Sequence, residues 1–309
     1  MTIFEFKKKF PTEKAAINFI ITTKYPNKQY VCPKCGVVGE KIYRQKYNPK
    51  NLYCNNCTWE FLVLNGTIFE NTKLDIRMWL YAINLTLISR KGISALQLQR
   101  ELGMKSYKAA YRMKKLIRNT MGKEDMKEVF EAIVEIDEAY IGGKPRKKNK
   151  HDEPETNENF NKRGRGTAKV PVIGVLERNT GRVHAVVANK NKDGKQLTGK
   201  QLFRVLNKVC KDNTTVMTDQ YSGYNILDKP NSKNFIRLKI DHNVFYSMGN
   251  GIHTNGIESF WALVKRGIHG IFHHISVTHL QSYINEFCFR LNNRDNDIAF
   301  GKLVCLAVK

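Results

Sequence analysis

The sequence predicts a multi-domain α/β protein in which a mixed β-sheet flanked by helices follows a small zinc-binding module and a pair of helices. Three observations support this fold class: two cysteine pairs near the start, helical periodicity between residues 74 and 118, and short β-branched runs alternating with helical segments after residue 131. A chain of 309 residues exceeds what one ordinary core holds. We therefore expect three domains, at residues 1–65, 66–125 and 126–309.

The first module contains two C-x2-C pairs, Cys32 with Cys35 and Cys54 with Cys57. Two knuckles joined by a hairpin at residues 41–53 would place four thiolates around one tetrahedral zinc ion, with no open position for catalysis. Two disulfides or a redox-active pair are the alternatives, and a reducing compartment disfavours the first. We expect a structural zinc ribbon. The remaining cysteines are expected to be small buried hydrophobic residues: Cys210, Cys288 and Cys305.

The second module has the pattern of a helix-turn-helix. Residues 74–89 show helical apolar spacing, and Ser94 with Gln97 forms a capping-box pattern that begins a short helix ending before Gly103. The next helix, 105–118, carries six basic residues and no acidic one. A basic helix after a glycine-containing turn is typical of DNA recognition, although a solvated basic face gives the same pattern. Four of its residues are our DNA-binding candidates: Lys105, Lys108, Arg112 and Lys115.

The third module begins with strands. Runs rich in β-branched residues predict four strands and a hairpin turn, and three later segments have helical spacing. The predicted strands are 133–136, 170–176, 183–187 and 216–217, and the predicted helices are 196–210, 256–266 and 276–293. Residues 144–169 form a polar insertion with nine Lys or Arg against four Asp or Glu. Such a loop contacts phosphates or serves as a solvated linker.

Composition indicates the partner. The 52 Lys and Arg against 28 Asp and Glu give a formal net charge of +24. This charge favours a polyanion, and nucleic acid leads over an anionic membrane surface. We find neither an apolar run of the ~18 residues that a spanning helix needs nor a signal peptide. The expectation is a soluble cytoplasmic protein that binds DNA.

Three carboxylates are candidates for catalysis. Asp137 and Asp219 each end a short apolar run that predicts a strand, and Glu258 lies on a predicted helix whose same face carries Asn255 and Lys265. Convergent carboxylates suit phosphodiester chemistry, because two Mg²⁺ ions roughly 4 Å apart require hard oxygen ligands. Each residue also has an ordinary role, since aspartate caps turns after strands and glutamate lines solvated helix faces.

Several aromatic and histidine residues surround the last motif. We expect His253 and His269 to be solvated or hydrogen-bonded histidines, and His273 with His274 to be able to contact a DNA backbone. Trp261 is expected to pack beneath the Glu258 helix, with stacking on an unpaired base as the alternative.

With these motifs the chain resembles the bacterial insertion-sequence transposases of the zinc-ribbon DDE kind, which are related to the eukaryotic Merlin elements. The resemblance covers nearly the whole chain and is most specific in the last blocks. It is carried by CPKCG with YCNNC, GISALQLQRELGM, VEIDEAYIGG, RGRGTAKVPVIGVLER, MTDQYSGY, HTNGIESFWALVKRGIHGIFHHIS and FCFRLNNR.

The resemblance implies an RNase H-like catalytic domain with Asp137, Asp219 and Glu258 at the acidic positions, and two Mg²⁺ or Mn²⁺ ions. It implies binding to the element's terminal inverted repeats, hydrolysis that frees a 3′-hydroxyl, and transfer of that hydroxyl to target DNA. Some relatives use asparagine as the third ligand, so Asn255 is a second candidate. A homodimer or larger assembly on nucleoid DNA is also implied. The further DNA-binding candidates are Arg163, Arg165, Lys265 and Arg266.

Two other functions remain open from the residues. A non-catalytic zinc-ribbon and helix-turn-helix regulator would explain the first 125 residues, but it gives no role to Asp137, Asp219 or Glu258. A metal-dependent nuclease of RNase H-like fold would use the same carboxylates. The amino-terminal modules favour transposition over this nuclease, because they fit the recognition of a particular DNA end.

Overall fold

The computed structural model describes residues 1–127, 129–142, 169–188, 197–230, 233–240, 251–294 and 296–309. The chain forms two compact units, the first from residues 1–124 together with 293–309 and the second from residues 125–292. Almost all of the predicted basic insertion, including Arg163 and Arg165, lies outside the described residues.

The first unit begins with two helices that the sequence analysis did not predict, α1 (Ile3–Lys9) and α2 (Glu13–Lys24). Thr2 caps α1 in a capping box with Glu5, and Thr12 caps α2. An antiparallel sheet follows, in the order β1 (Ile42–Arg44), β2 (Asn51–Cys54) and β3 (Trp59–Leu62). The hairpin expected between the cysteine pairs is therefore present as β1 and β2.

Four more helices complete this unit: α3 (Ile76–Ile88), α4 (Ala95–Glu101), α5 (Tyr107–Met121) and α9 (Asn296–Val308). Ser94 caps α4 by accepting the Gln97 N–H at 3.1 Å, and Gly103 adopts a φ of 61° in the turn before α5. Helix α9 packs against α2, α3 and α5 and buries Phe300, Leu303 and Val304. The sequence-based boundary placed these last residues with the sheet, because sequence order does not reveal which core an apolar terminal helix joins.

The second unit is built on a five-stranded mixed sheet with the order β6-β5-β4-β7-β8. Its strands are β4 (Ile133–Ile141), β5 (Val170–Glu177), β6 (Val183–Val187), β7 (Thr215–Thr218) and β8 (Ile236–Lys239). β5 pairs antiparallel with β4 and β6, and β7 pairs parallel with β4 and β8. The predicted mixed sheet is confirmed, whereas β8 was not predicted because its sequence, IRLK, is half basic.

Helices cover both faces of this sheet. Alternate β4 residues, Val134 and Ile136, pack in the same core as α6 (Gly199–Val209). Their neighbours Ala139 and Ile141 belong to the opposite core with α7 (Asn255–Gly267) and α8 (Val277–Asn292). A strand directs successive side chains to opposite faces, so the odd-numbered residues of β4 face α7. Within the described ranges no helix combines the length and apolar character needed to cross a membrane.

Candidate active site

Asp137 lies on β4, and Asp219 directly follows β7, the parallel strand beside it. In the β4–β7 register Ile133 lies opposite Thr215 and Glu135 lies opposite Met217. Continued by two residues beyond the paired segment, the same offset would bring Asp219 level with Asp137. The odd-numbered residues of β4 face α7, so Asp137 projects on the side that α7 covers, and the charge of Asp219 acts on it.

Asp137 lies in the middle of its strand, which corrects the expectation that it ends one. β4 continues to Ile141 and pairs with β5 throughout, with Asp137 opposite Gly174 and Ile141 opposite Val170. The polar pair at 137 and 138 interrupts the apolar run, so the sequence alone suggested an early end. β7 does end at Thr218, directly before Asp219. Asp137 therefore lies near the end of the neighbouring strand β7, whereas β4 continues for four more residues.

Helix α7 crosses this part of the sheet at a glycine. A Cβ on Gly174 would lie 2.6 Å from Cζ2 of Trp261 and 2.9 Å from Cδ1 of Ile257. Only glycine permits the helix to come this close. Because Gly174 is the β5 partner of Asp137, the contact fixes α7 beside the first aspartate. Trp261 is 3 % exposed, so it packs beneath the helix, as one of the two interpretations proposed.

The start of α7 is held by a buried carboxylate two residues before Asp137. Glu135 is 1 % exposed and accepts hydrogen bonds from Nε of Arg178 at 2.8 Å and from the backbone N–H of Ile257 at 2.9 Å. Nδ1 of His253 lies 3.3 Å from the same carboxylate. Arg178 also donates to the carbonyl groups of Gly251 and His253. The segment leading into α7 is therefore attached to both β4 and β5, and His253 is a hydrogen-bonded histidine.

Glu258 lies in the first turn of α7, where its Oε1 accepts a hydrogen bond from the Thr254 hydroxyl at 2.9 Å. The charges on Glu138, Asp219 and Glu258 all act on Asp137. Burial, followed by these charges, raises the pKa of Asp137 to about 7. The arrangement thus brings the three predicted carboxylates into electrostatic reach of one another, and a divalent cation would relieve their repulsion.

Asp219 also makes the contact expected of an ordinary turn residue. Its Oδ1 accepts the backbone N–H of Tyr221 at 2.9 Å. A carboxylate has two oxygens and about four lone-pair sites, so this hydrogen bond orients the side chain without using its capacity for a metal. The turn-capping contact is therefore compatible with the predicted ligand role of Asp219.

The four predicted zinc ligands form a compact cluster. The sulfur atoms of Cys32, Cys35, Cys54 and Cys57 all lie within 4.8 Å of one another. Sγ of Cys32 is 3.6 Å from Sγ of Cys57, and Sγ of Cys35 is 3.7 Å from Sγ of Cys54. Tetrahedral zinc with sulfur at about 2.3 Å requires sulfur–sulfur distances of about 3.8 Å. The cluster is therefore compatible with a zinc ribbon.

Within the described part of the chain, these cysteines are the one set of three or more potential ligands gathered this tightly. Asp137, Asp219 and Glu258 do not form such a tight set.

Comparison with known proteins places the second unit in a family. The family model of the ISXO2-like transposase domain matches residues 130–292, more than half of the chain. The chain belongs to this transposase family. The match spans the five-stranded sheet, α7 and α8, and it includes Asp137, Asp219 and Glu258. It also coincides closely with the second compact unit, residues 125–292.

Two curated relatives agree with this transposase assignment. The chain is 29% identical over 293 residues to an uncharacterized protein in transposable element ISH50 of Halobacterium salinarum, and the alignment covers 92% of each protein. It is 28% identical over 94 residues to an uncharacterized transposase-like protein of Haemophilus influenzae, covering 30% of this chain and 72% of that protein. No solved structure matches the chain.

The predicted DNA-binding residues of the first unit lie on α5, except Lys105, which precedes the helix and corrects its predicted start at 105. Lys105, Lys108, Arg112 and Lys115 are all exposed. The other two basic residues of this segment are buried in the first unit: Lys114 is 1 % exposed with Nζ 3.3 Å from Oγ1 of Thr86, and Arg118 is 3 % exposed. Helix α5 therefore has one basic solvent face and two basic side chains that belong to its packing.

The remaining candidates in this transposase domain lie on or after α7. Asn255 is exposed at the start of the helix, one turn before Glu258, and Lys265 and Arg266 are exposed in its last turn. At 1.5 Å per residue, Lys265 is about 10 Å along the helix from Glu258. A further group follows in or after the π-helical turn Ile268–Phe272, and its members are exposed: His269, His273 and His274.

Sequence analysis missed Arg237, a residue that supports the second aspartate. Its side chain is 2 % exposed on β8 and donates from Nε to Oγ1 of Thr218 at 2.9 Å and from Nη2 to the carbonyl of Asp219 at 3.2 Å. Tyr224 is fully buried nearby and donates its hydroxyl to Glu138 at 2.9 Å. No motif marks Arg237, whereas Glu135 was detectable as a charged residue within a predicted apolar strand.

Proposed function

We propose that this transposase-family protein is a DDE transposase in which Asp137, Asp219 and Glu258 are the catalytic carboxylates. It binds the terminal inverted repeats of its own element, hydrolyses a strand at each end and transfers the freed 3′-hydroxyl to target DNA. The observation that carries the proposal is the register of β4 and β7: continued by two residues it would bring Asp219 level with Asp137, and the charges of Asp219 and Glu258 add to burial in raising the pKa of Asp137.

In this proposal the three carboxylates hold two Mg²⁺ or Mn²⁺ ions. The ions would activate the attacking oxygen, water in hydrolysis and the 3′-hydroxyl in transfer, and would stabilise the leaving oxygen. Asp137 is held within the central strand β4, and Asp219, directly after β7, is held by its hydrogen bonds to the Tyr221 N–H and Arg237. Lys265, on the same helix as Glu258, would hold a phosphate of the bound strand. Asn255 is the alternative third ligand, but a charged carboxylate binds Mg²⁺ better than an amide does.

The first unit supplies DNA recognition in the proposal. The zinc ribbon of residues 1–65 and the helix-turn-helix of residues 66–125 bind the element ends, and the part of residues 126–309 that forms the second unit, up to residue 292, carries the RNase H-like catalytic function. The exposed basic face of α5 supports the helix-turn-helix role, and the mixed sheet with helices on both faces supports the RNase H-like assignment. The roles of Arg163, Arg165 and Arg266 rest on the sequence.

The proposed reaction suggests both the oligomeric state of the protein and the compartment in which it acts. Both ends of an element must be held during transposition, so we propose a homodimer or larger assembly on double-stranded DNA in the bacterial cytoplasm. The partners are then the terminal repeats and the target DNA, with one structural zinc ion per chain holding the ribbon.

The direct test is incubation of the protein with pre-cleaved element-end DNA, Mg²⁺ and a supercoiled target plasmid, with joined products scored on a gel. Covalent joining of the 3′ end to the plasmid supports the proposal. Specific end binding without joining would favour a DNA-binding regulator. Degradation of DNA without joining would favour a metal-dependent nuclease. A reaction without Mg²⁺ serves as the control for each outcome.

A further inference from the structure

The N-terminus of α7 is capped by a residue of β4 and not by its own N-cap side chain. Thr254 is the N-cap residue, and an N-cap hydroxyl ordinarily accepts an N–H from the second or third helical residue. Here the third residue, Ile257, donates its N–H to Oε2 of Glu135 at 2.9 Å, and Thr254 makes no side-chain cap hydrogen bond. The Thr254 hydroxyl donates instead to Oε1 of Glu258 at 2.9 Å.

The hydrogen bond from Ile257 to Glu135 depends on the close approach of α7 to β4. A Cβ on Gly256 would lie 2.9 Å from Oε2 of Glu135 and 3.0 Å from Cδ2 of Leu176. Glycine at this position lets the helix start reach the buried carboxylate. Arg178 pairs with the buried Glu135 carboxylate at 2.8 Å, which holds the group where it accepts the Ile257 N–H.

Thr254 itself is closely confined. Thr254 is 2 % exposed, and its carbonyl accepts the backbone N–H of Glu258 at 3.1 Å. The hydroxyl and the carbonyl of one residue thus hold both the backbone and the carboxylate of Glu258. Glu258 is exposed, so without such a contact its side chain would sample several rotamers.

We propose that Thr254 is the positioning residue for Glu258, because Glu135 takes over the capping role and leaves the threonine hydroxyl to orient the carboxylate. The inference rests on the proposed function, in which Glu258 is a ligand of the divalent ions. Ligating carboxylates are commonly oriented by a second hydrogen bond, and loss of such a partner costs about 10- to 100-fold in metal affinity or activity.

The test compares Thr254→Val, which keeps the shape and removes the hydroxyl, with Thr254→Ser, which keeps the hydroxyl. Two quantities are measured on the full chain: the Mn²⁺ concentration that half-saturates the metal-induced rise in melting temperature without DNA, and the Mg²⁺ concentration for half-maximal joining. We expect Thr254→Val to raise both midpoints by about 10- to 100-fold. Thr254→Ser should restore both toward the wild-type values.

Thr214→Val is the matched control. Thr214 is also fully buried in the second unit, and its hydroxyl donates to the carbonyl of Lys211 at 2.8 Å, so its loss should lower the melting temperature without moving either metal midpoint. If Thr254→Val fails to fold, Thr254→Ala gives the same comparison with a smaller side chain.

Wild-type metal midpoints in a folded Thr254→Val or Thr254→Ala protein would overturn the positioning role while leaving the proposed function intact. Equal changes in Thr254→Val and Thr254→Ser would also overturn it, since the hydroxyl would then be irrelevant. A wild-type protein with neither a metal-induced shift nor joining would instead refute the proposed function, and this inference with it.

Discussion

Asp137 lies among side chains that oppose its ionisation. Burial is the largest cause of its raised pKa, and the negative charges of Glu138, Asp219 and Glu258 add to it. Such a cluster costs folding free energy when all members are ionised, and it is relieved when cations bind. A metal-binding active site without its metal is expected to destabilise the folded protein in this way, because its carboxylates repel one another.

Replacing Asp137 with asparagine should therefore stabilise the metal-free protein. Because the folded-state pKa of Asp137 is raised to about 7, the contribution of this carboxyl to stability is fully present below its unfolded-state pKa and is lost as pH rises from that value to about 7. At pH 8 we expect Asp137→Asn to gain about 1–2 kcal/mol in the free energy of unfolding, measured by urea denaturation without added Mg²⁺ or Mn²⁺.

The pH dependence of this gain is its control. At pH 5 the wild-type carboxyl at Asp137 is protonated, so the difference between the two proteins should shrink. An equal gain at both pH values would show that ionisation of Asp137 is not the cause. A loss of stability in Asp137→Asn at pH 8 would contradict the account.

At the residue scale, the sequence offered candidates for the site where a local pattern marks the residue. It did not reveal residues whose partners are distant in sequence. Asp219 follows a short apolar strand, and Glu258 lies on an amphipathic helix, so local pattern made them candidates, and the family resemblance assigned them to the acidic positions. Glu135 and Arg178 are 43 residues apart and meet only because β4 and β5 pair. Arg237 supports Asp219 across another strand pair, which no local pattern encodes.

Among the elements, α7 depends on a glycine for its position. Gly174→Ala should force α7 away from β5, because the added Cβ would lie 2.6 Å from the Trp261 ring. Overpacking of this kind costs about 1–3 kcal/mol. We expect a lower melting temperature and a large loss of joining activity. Gly270→Ala is the control, since a Cβ there meets nothing within 4 Å. Wild-type behaviour of Gly174→Ala would refute the close approach.

The ribbon is the element that should depend on zinc. Cys54 is fully buried in the sulfur cluster, so Cys54→Ser should remove the metal, unfold the ribbon and weaken binding to element ends. Zinc content by mass spectrometry should fall from about one ion per chain to none. Cys305→Ser is the matched control, because Cys305 lies outside the cluster and is exposed, unlike Cys210 and Cys288, so the expectation that it is buried was wrong. Full zinc content in Cys54→Ser would contradict the ligand set.

Some element types were predictable from capping residues and β-branched runs, although the capping box that begins α1 was not recognised. Ser94 marks the start of α4, and the β-branched runs joined through residues 178–181 predict the hairpin of β5 and β6. β8 was missed because half of its residues are basic, and its place is set by parallel pairing with β7. The α9 segment is apolar enough for a core helix, but its packing against α2, α3 and α5 is a tertiary fact that sequence order conceals.

At the scale of the whole molecule, the net charge of +24 should make DNA binding strongly dependent on salt. Lys108 is exposed on the basic face of α5, so Lys108→Ala should weaken binding to element ends and reduce the salt slope by about one. Fluorescence anisotropy at several salt concentrations measures both. Lys14→Ala, at an exposed lysine of α2, is the control. Identical slopes for the two variants would remove α5 from the interface.

The central claim is that the aspartates aligned by β4 and β7 perform DNA strand transfer, and Asp219→Asn tests it most directly. End binding and joining to a target plasmid should be measured in the same samples, with Asp212→Asn as the control at an exposed aspartate. We predict that Asp219→Asn binds element ends normally and loses joining by about 1,000-fold or more. Joining at the wild-type rate in Asp219→Asn would contradict the account.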